Sequence, residues 1–136
     1  MRYTPGLLCL VLIFLGSAGC GASGSPLPPA DQVAKIRLVV QPSGQNAGCD
    51  VTLTKRADIA SVMEWLAGID WSQQGTDLAV VSLPQPDGSI AITTNGGATY
   101  DFSFYWDGGF IHTRANRLIR GGDMAKFSQI VQQVCK

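Results

Sequence analysis

Apolar side chains recur at every second position in several segments, the period of a β-strand that buries one face. The segment 33–41 (VAKIRLVVQ) shows this alternation clearly, and 49–54 (CDVTLT) resumes it. Between them lies 42–48 (PSGQNAG), whose composition is typical of a turn. The two segments are therefore predicted to be strands paired as a hairpin.

The second half of the chain contains further predicted strands, separated by turn-forming residues. These are 78–83 (LAVVSL), 89–94 (SIAITT), 98–106 (ATYDFSFYW), 110–114 (FIHTR) and 116–120 (NRLIR). In the third of them a row of aromatic residues lies on one face: Tyr100, Phe102, Phe104 and Trp106. We interpret this row as the core face of a sheet, because helices need an apolar surface to cover. An exposed ligand platform is the alternative.

Two segments have the i, i+3, i+4, i+7 spacing of an amphipathic helix. The first stripe consists of Ile59, Val62, Met63 and Leu66, and the second of Phe127, Ile130, Val131 and Val134. Thr54 is the predicted N-cap of the first helix, which ends near Gly68, and Asp123 that of the second. The order of elements predicts an α+β fold, in which two helices pack on one face of an antiparallel sheet of about five to seven strands.

The N-terminus has a different pattern, with Arg2 followed by the unbroken apolar run 7–16 (LLCLVLIFLG) and the small residues of 17–20 (SAGC). A charged start, a short apolar run and a small-residue processing site are typical of a secretory signal peptide. Residues 17–20 also resemble the lipobox of bacterial lipoproteins. That resemblance implies cleavage before Cys20 and attachment of acyl chains to its sulfur, so that lipid holds the protein on a membrane.

This interpretation divides the chain into three parts. Residues 1–20 are the predicted signal peptide, and 21–31 (GASGSPLPPAD) have the composition of a flexible Gly/Ser/Pro tether. Residues 32–136 are predicted to form a single α+β domain. The expected location is a bacterial cell envelope, with the domain facing the periplasm or the exterior.

Cys49 and Cys135 are the two cysteines that remain after removal of the predicted signal peptide and lipidation of Cys20. An even pair in an oxidising compartment is expected to form a disulfide. Two separate buried thiols are the alternative.

The charge of the chain is balanced, with ten Lys and Arg against ten Asp and Glu. This balance does not favour nucleic acid as a partner. The densest basic run consists of His112, Arg114, Arg117 and Arg120. It is a candidate surface for anionic lipid headgroups or an acidic protein partner, or simply a charged strand edge in solvent.

Recognisable catalytic, cofactor and metal-binding spacings are absent from the sequence, including HExxH and CxxC. The sequence thus predicts no catalytic residues, metal or cofactor, and favours a non-catalytic binding or accessory module anchored to the envelope. The segment 96–109 (GGATYDFSFYWDGG) resembles a stretch of small periplasmic lysozyme inhibitors, which implies an inhibitor of a host or cell-wall enzyme as one form of binding. A small hydrolase using His112 is the other alternative.

Overall fold

A computed structural model describes residues 25–44, 47–112 and 116–136, and within these ranges the side chains of Val80, Ile111 and His112 are outside the description. The described chain forms one antiparallel sheet of seven strands and two α-helices, which confirms the predicted α+β class. The strands are β1 Val33–Val40, β2 Cys49–Leu53, β3 Thr76–Asp77, β4 Gly88–Thr94, β5 Thr99–Phe104, β6 Gly109–His112 and β7 Arg117–Arg120. The helices are α1 Arg56–Ala67 and α2 Met124–Val134.

The spatial order of the strands is β2-β1-β4-β5-β6-β7-β3. The hairpin of β1 and β2 is present as predicted, with Leu38 opposite Val51. The return of the chain through α1 places β4 on the other side of β1, where Leu38 lies opposite Ile90. The alternating apolar residues of β1, β2 and β4 therefore lie on the same face of the sheet.

The hydrophobic core lies between this face and the two helices. Phe102 and Phe104 are buried in it, which confirms the core interpretation for those two positions, whereas Tyr100 and Trp106 are partly exposed. Trp65 of α1 stacks on Phe127 of α2 with ring centroids 4.0 Å apart. Aromatic stacking thus joins the two helices above the sheet.

The two helix starts differ in how their backbone N–H groups are satisfied. Asp123 caps α2 as predicted, since its carboxylate accepts a hydrogen bond from the Lys126 N–H at 3.0 Å. The predicted cap of α1 is wrong, because Lys55 rather than Thr54 occupies the N-cap position and makes no side-chain bond there. Instead, Arg56 Nη1 donates to the Val33 carbonyl at 2.8 Å and links the first turn of α1 to β1.

The predicted strand 78–83 is also wrong. Leu78–Val80 forms a short 3-10 helix, in which the Asp77 side chain accepts from the Ala79 N–H, and the chain then runs as a loop through residues 81–86. Pro84 and Pro86 lack the N–H that a ladder requires. The loop lies over the second face of the sheet, where Tyr105 Oη donates to the Pro84 carbonyl at 2.9 Å. Tyr105 is therefore buried, although alternation predicts an exposed side chain there.

The second half of the predicted tether lies against α1. Leu27 packs on the hydrophobic core, Pro28 is buried, and Ala30–Gln32 forms one 3-10 turn before β1. Within the described ranges, neither helix has the length and apolar content needed to cross a bilayer.

Candidate functional site

The disulfide between Cys49 and Cys135 joins the start of the edge strand β2 to the end of α2, as the sequence predicts. The two Cα atoms are 5.8 Å apart, a separation typical of such bonds. The bond closes a sequence separation of 86 residues. Cys20, the predicted site of lipidation, lies outside the described residues, so its acylation stays a prediction.

The basic run is divided by the sheet rather than gathered on one surface. Arg117 and Arg120 are three residues apart on β7, so they point to opposite faces. Arg120 forms an ion pair with Asp107 at 3.3 Å, and Arg117 Nη1 donates to the Gln74 carbonyl at 3.0 Å. Arg114 lies outside the described residues. The described half of the run therefore does not form a concentrated positive surface, and binding of an anionic surface stays a prediction.

His112 ends β6, where its backbone lies between Phe102 of β5 and Arg117 of β7. Its side chain is outside the description. The hydrolase alternative, which needs His112 within hydrogen-bond reach of a partner, remains a prediction without geometric support.

A surface cavity of about 210 Å³ lies where the disulfide, the end of β1 and α2 meet. The described residues that line it are Val40, Ala47, Trp106, Ser128, Val131, Gln132 and Cys135. Ser128 and Gln132 contribute hydroxyl and amide groups, while the sulfur of Cys135 is held in the disulfide. This lining suits a neutral ligand with an apolar part and one or two hydrogen-bonding groups.

Trp106 forms the aromatic wall of this cavity and is held in place from three sides. Its backbone N–H donates to Asp87 Oδ2 at 2.8 Å, and its ring packs on Phe104 and Phe127 with centroids 5.3 and 5.6 Å away. The indole N–H is buried and has no hydrogen-bond partner among the described residues. A buried donor without a partner costs about 1–3 kcal/mol, so Trp106 is held in place by packing and by its backbone hydrogen bond and not by its indole N–H.

Sequence reasoning did not find this cavity, because its lining comes from four separate parts of the chain: β1, the turn after β1, the turn after β5, and α2. The available signals were the disulfide, which brings Cys135 to the sheet edge, and the position of Trp106 at the end of the aromatic row. Neither signal gives the distance between α2 and the β1–β2 turn.

The surroundings of Asp50 and Tyr105 shift the pKa values of these two groups. Arg37 binds Asp50 through two hydrogen bonds, of 2.9 and 2.7 Å, and these lower the pKa of the Asp50 carboxyl. Burial, with smaller contributions from Asp87 and Asp107, raises the pKa of the Tyr105 hydroxyl. These groups therefore keep their ordinary charge states at neutral pH: Asp50 ionised and Tyr105 neutral.

The described ranges contain no group of three or more His, Cys, Asp or Glu residues placed to hold a metal ion. The cavity beside Trp106 is the candidate site that the geometry favours, with a lining of apolar and neutral polar side chains. In comparisons with known proteins, no family model, curated protein or solved structure matches this chain.

Proposed function

We propose that this protein is a lipid-anchored module of a bacterial cell envelope, acylated at Cys20, which binds a ligand or protein partner without catalysing a reaction. The apolar run and small residues before Cys20 supply the export and lipidation signal. Residues 32–136 form the functional domain outside the cytoplasm.

One structural observation carries this proposal: the bond between Cys49 and Cys135. Disulfides form and persist in oxidising compartments and are rare in the cytosol. The two cysteines that remain after the predicted processing are the two that are bonded, so the fold and the N-terminal pattern favour the same compartment.

The burial of Leu27 and Pro28 against the domain limits how far Cys20 can lie from it. With Leu27 and Pro28 held against the domain, four residues, 21–24, separate Cys20 from Ser25. An extended chain covers at most about 3.6 Å per residue, so Cys20 would lie within roughly 18 Å of Ser25. The α1 side of the domain would then be held close to the membrane.

The cavity beside Trp106 supports a binding role. It is open to the surface, and its described lining includes no ionisable side chain, because the sulfur of Cys135 is held in the disulfide. Ser128 and Gln132 offer neutral hydrogen-bonding groups. A neutral binding site fits these residues better than acid–base catalysis does, because such catalysis needs a titratable group at the reacting atom.

Metabolic labelling of a bacterial host with a fatty-acid analogue tests the anchor. We expect label on the wild-type protein and on Cys9→Ala, since Cys9 lies in the removed apolar run, and none on Cys20→Ala. Cys9→Ala is the matched control because it also removes one N-terminal thiol. Equal labelling of all three proteins, or no label on the wild type, would contradict the proposal.

A further inference from the structure

We propose that two copies of this protein pair along the edge strand β2, antiparallel and about a two-fold axis at Val51, so that their sheets become one. This inference concerns the described domain and does not depend on the lipid anchor. It follows from the backbone groups of the edge, the lack of protection on that edge, and the charges that the pairing brings together.

In the sheet that the described residues form, β2 is an end strand, and no described strand pairs with its outer edge. The Gln41 N–H donates to the Asp87 carbonyl of the β4 side at 2.7 Å, and hydrogen-bonding direction alternates along a strand. From Lys35 onward, beyond the register shift between Val33 and Lys35, odd-numbered residues of β1 therefore bond to β4 and even-numbered residues bond to β2. Val40, Leu38 and Ile36 lie opposite Cys49, Val51 and Leu53, which are thereby bonded to β1. Asp50 and Thr52 must then direct their N–H and C=O groups outward.

Among the described residues, this edge has little of the protection that usually prevents strand pairing. Natural proteins protect edges with proline, lysine, bulges or very short strands. The sequence of β2 is CDVTL, its register with β1 is unbroken over five residues, and its one charged residue, Asp50, is paired with Arg37. The opposite edge is protected, because β3 has two residues and Gln73 Nε2 donates to the Arg120 carbonyl.

A two-fold axis at Val51 gives the register with the greatest overlap. It pairs all five residues of β2 with the same five of the second copy, and it places Asp50 opposite Thr52, so that two hydrogen-bonded pairs form. An axis at Asp50 would instead put two carboxylates opposite each other, which is destabilising. In the favoured register the two Arg37–Asp50 pairs flank the junction, and their charges sum to zero.

The edge is rigid and has space beside it. The disulfide holds Cys49 against α2, so β2 does not have to be ordered when a strand is added. On the helix side, a groove of about 230 Å³ runs between Val51 and Leu53 of β2 and Gln133 and Val134 of α2. This groove leaves room for the side chains of an added strand.

Sedimentation equilibrium of the full-length protein, purified in a density-matched detergent, measures the assembly directly. We expect a reversible equilibrium between one and two chains. Thr52→Pro removes one outward N–H from each copy, so the dimer loses two hydrogen bonds. We expect the dissociation constant of the dimer to rise roughly tenfold to hundredfold. Thr52→Val keeps the N–H and serves as the matched control, with dimerisation unchanged.

A disulfide cross-link between two copies of the purified protein tests the register, and it still tests the pairing if Thr52→Pro does not fold. Opposed residues of a non-hydrogen-bonded pair have Cα atoms about 4.5 Å apart, within reach of a disulfide. Val51→Cys should therefore give a covalent dimer on oxidation, whereas Lys35→Cys, exposed on the neighbouring strand, should not. A single chain at every concentration, or a dimer that Val51→Cys does not cross-link, would overturn the inference. Both readouts are independent of acylation, so their failure leaves the proposed anchor standing.

Discussion

Gly88 shows how one residue can be assigned to the wrong role by its sequence neighbours. Asp87-Gly88 is typical of a turn, yet Gly88 is the buried first residue of β4. A Cβ placed there would lie 2.3 Å from the Val39 carbonyl oxygen and 2.4 Å from Cζ of Phe104. The position is glycine because the ring of Phe104 lies directly over the backbone, a tertiary contact that no local pattern reveals.

We therefore expect Gly88→Ala to lower the free energy of unfolding by about 1–3 kcal/mol, the usual cost of overpacking a core. Urea denaturation measures this change. Gly96→Ala is the matched control, since its Cβ would meet one atom, Thr94 Oγ1, at 3.9 Å. Its effect should stay within about 0.5 kcal/mol, as for other surface substitutions. Similar losses in the two variants would contradict the packing argument.

At the scale of elements, the sequence predicts well wherever a period of 2 or 3.6 is sustained. The hairpin of β1 and β2, the strands β4 and β5, and both helices follow from alternation or helical spacing. The prediction is wrong for 78–83, because Leu78–Val80 forms a 3-10 turn and the loop after it reaches Tyr105 on the second face of the sheet instead of joining a ladder. Burial of Tyr105 is missed for the same reason: its cover comes from a loop that is distant in sequence.

The disulfide between Cys49 of β2 and Cys135 at the end of α2 should contribute strongly to the free energy of unfolding. Closing a loop of 86 residues restricts the unfolded chain, and the chain-entropy model gives about 4–5 kcal/mol for that length. We expect the double variant Cys49→Ser, Cys135→Ser to lose roughly this amount in urea denaturation. Reduction of the wild type should give the same loss, and the double variant should be insensitive to reductant. A loss below about 1 kcal/mol would contradict this assignment.

At the scale of the whole molecule, the fold class follows from the sequence, but the candidate site does not. The α+β architecture results from periodic segments whose order constrains how they pack. The cavity beside Trp106 depends on where α2 ends relative to the β1–β2 turn, which is set by packing and by the disulfide. The N-terminal segment differs from the cavity in this respect. Its sequence predicts processing and location, but the segment itself lies outside the described residues.

The central claim is that the mature protein begins at an acylated Cys20. Mass spectrometry of the protein purified from the membrane fraction, intact and after proteolysis, tests this claim most directly. We predict a mature chain of residues 20–136, whose N-terminal peptide carries the added mass of acyl chains on Cys20 and in which Cys49 and Cys135 are linked. An unmodified N-terminus at any other residue, or a chain that retains residues 1–19, would contradict the account.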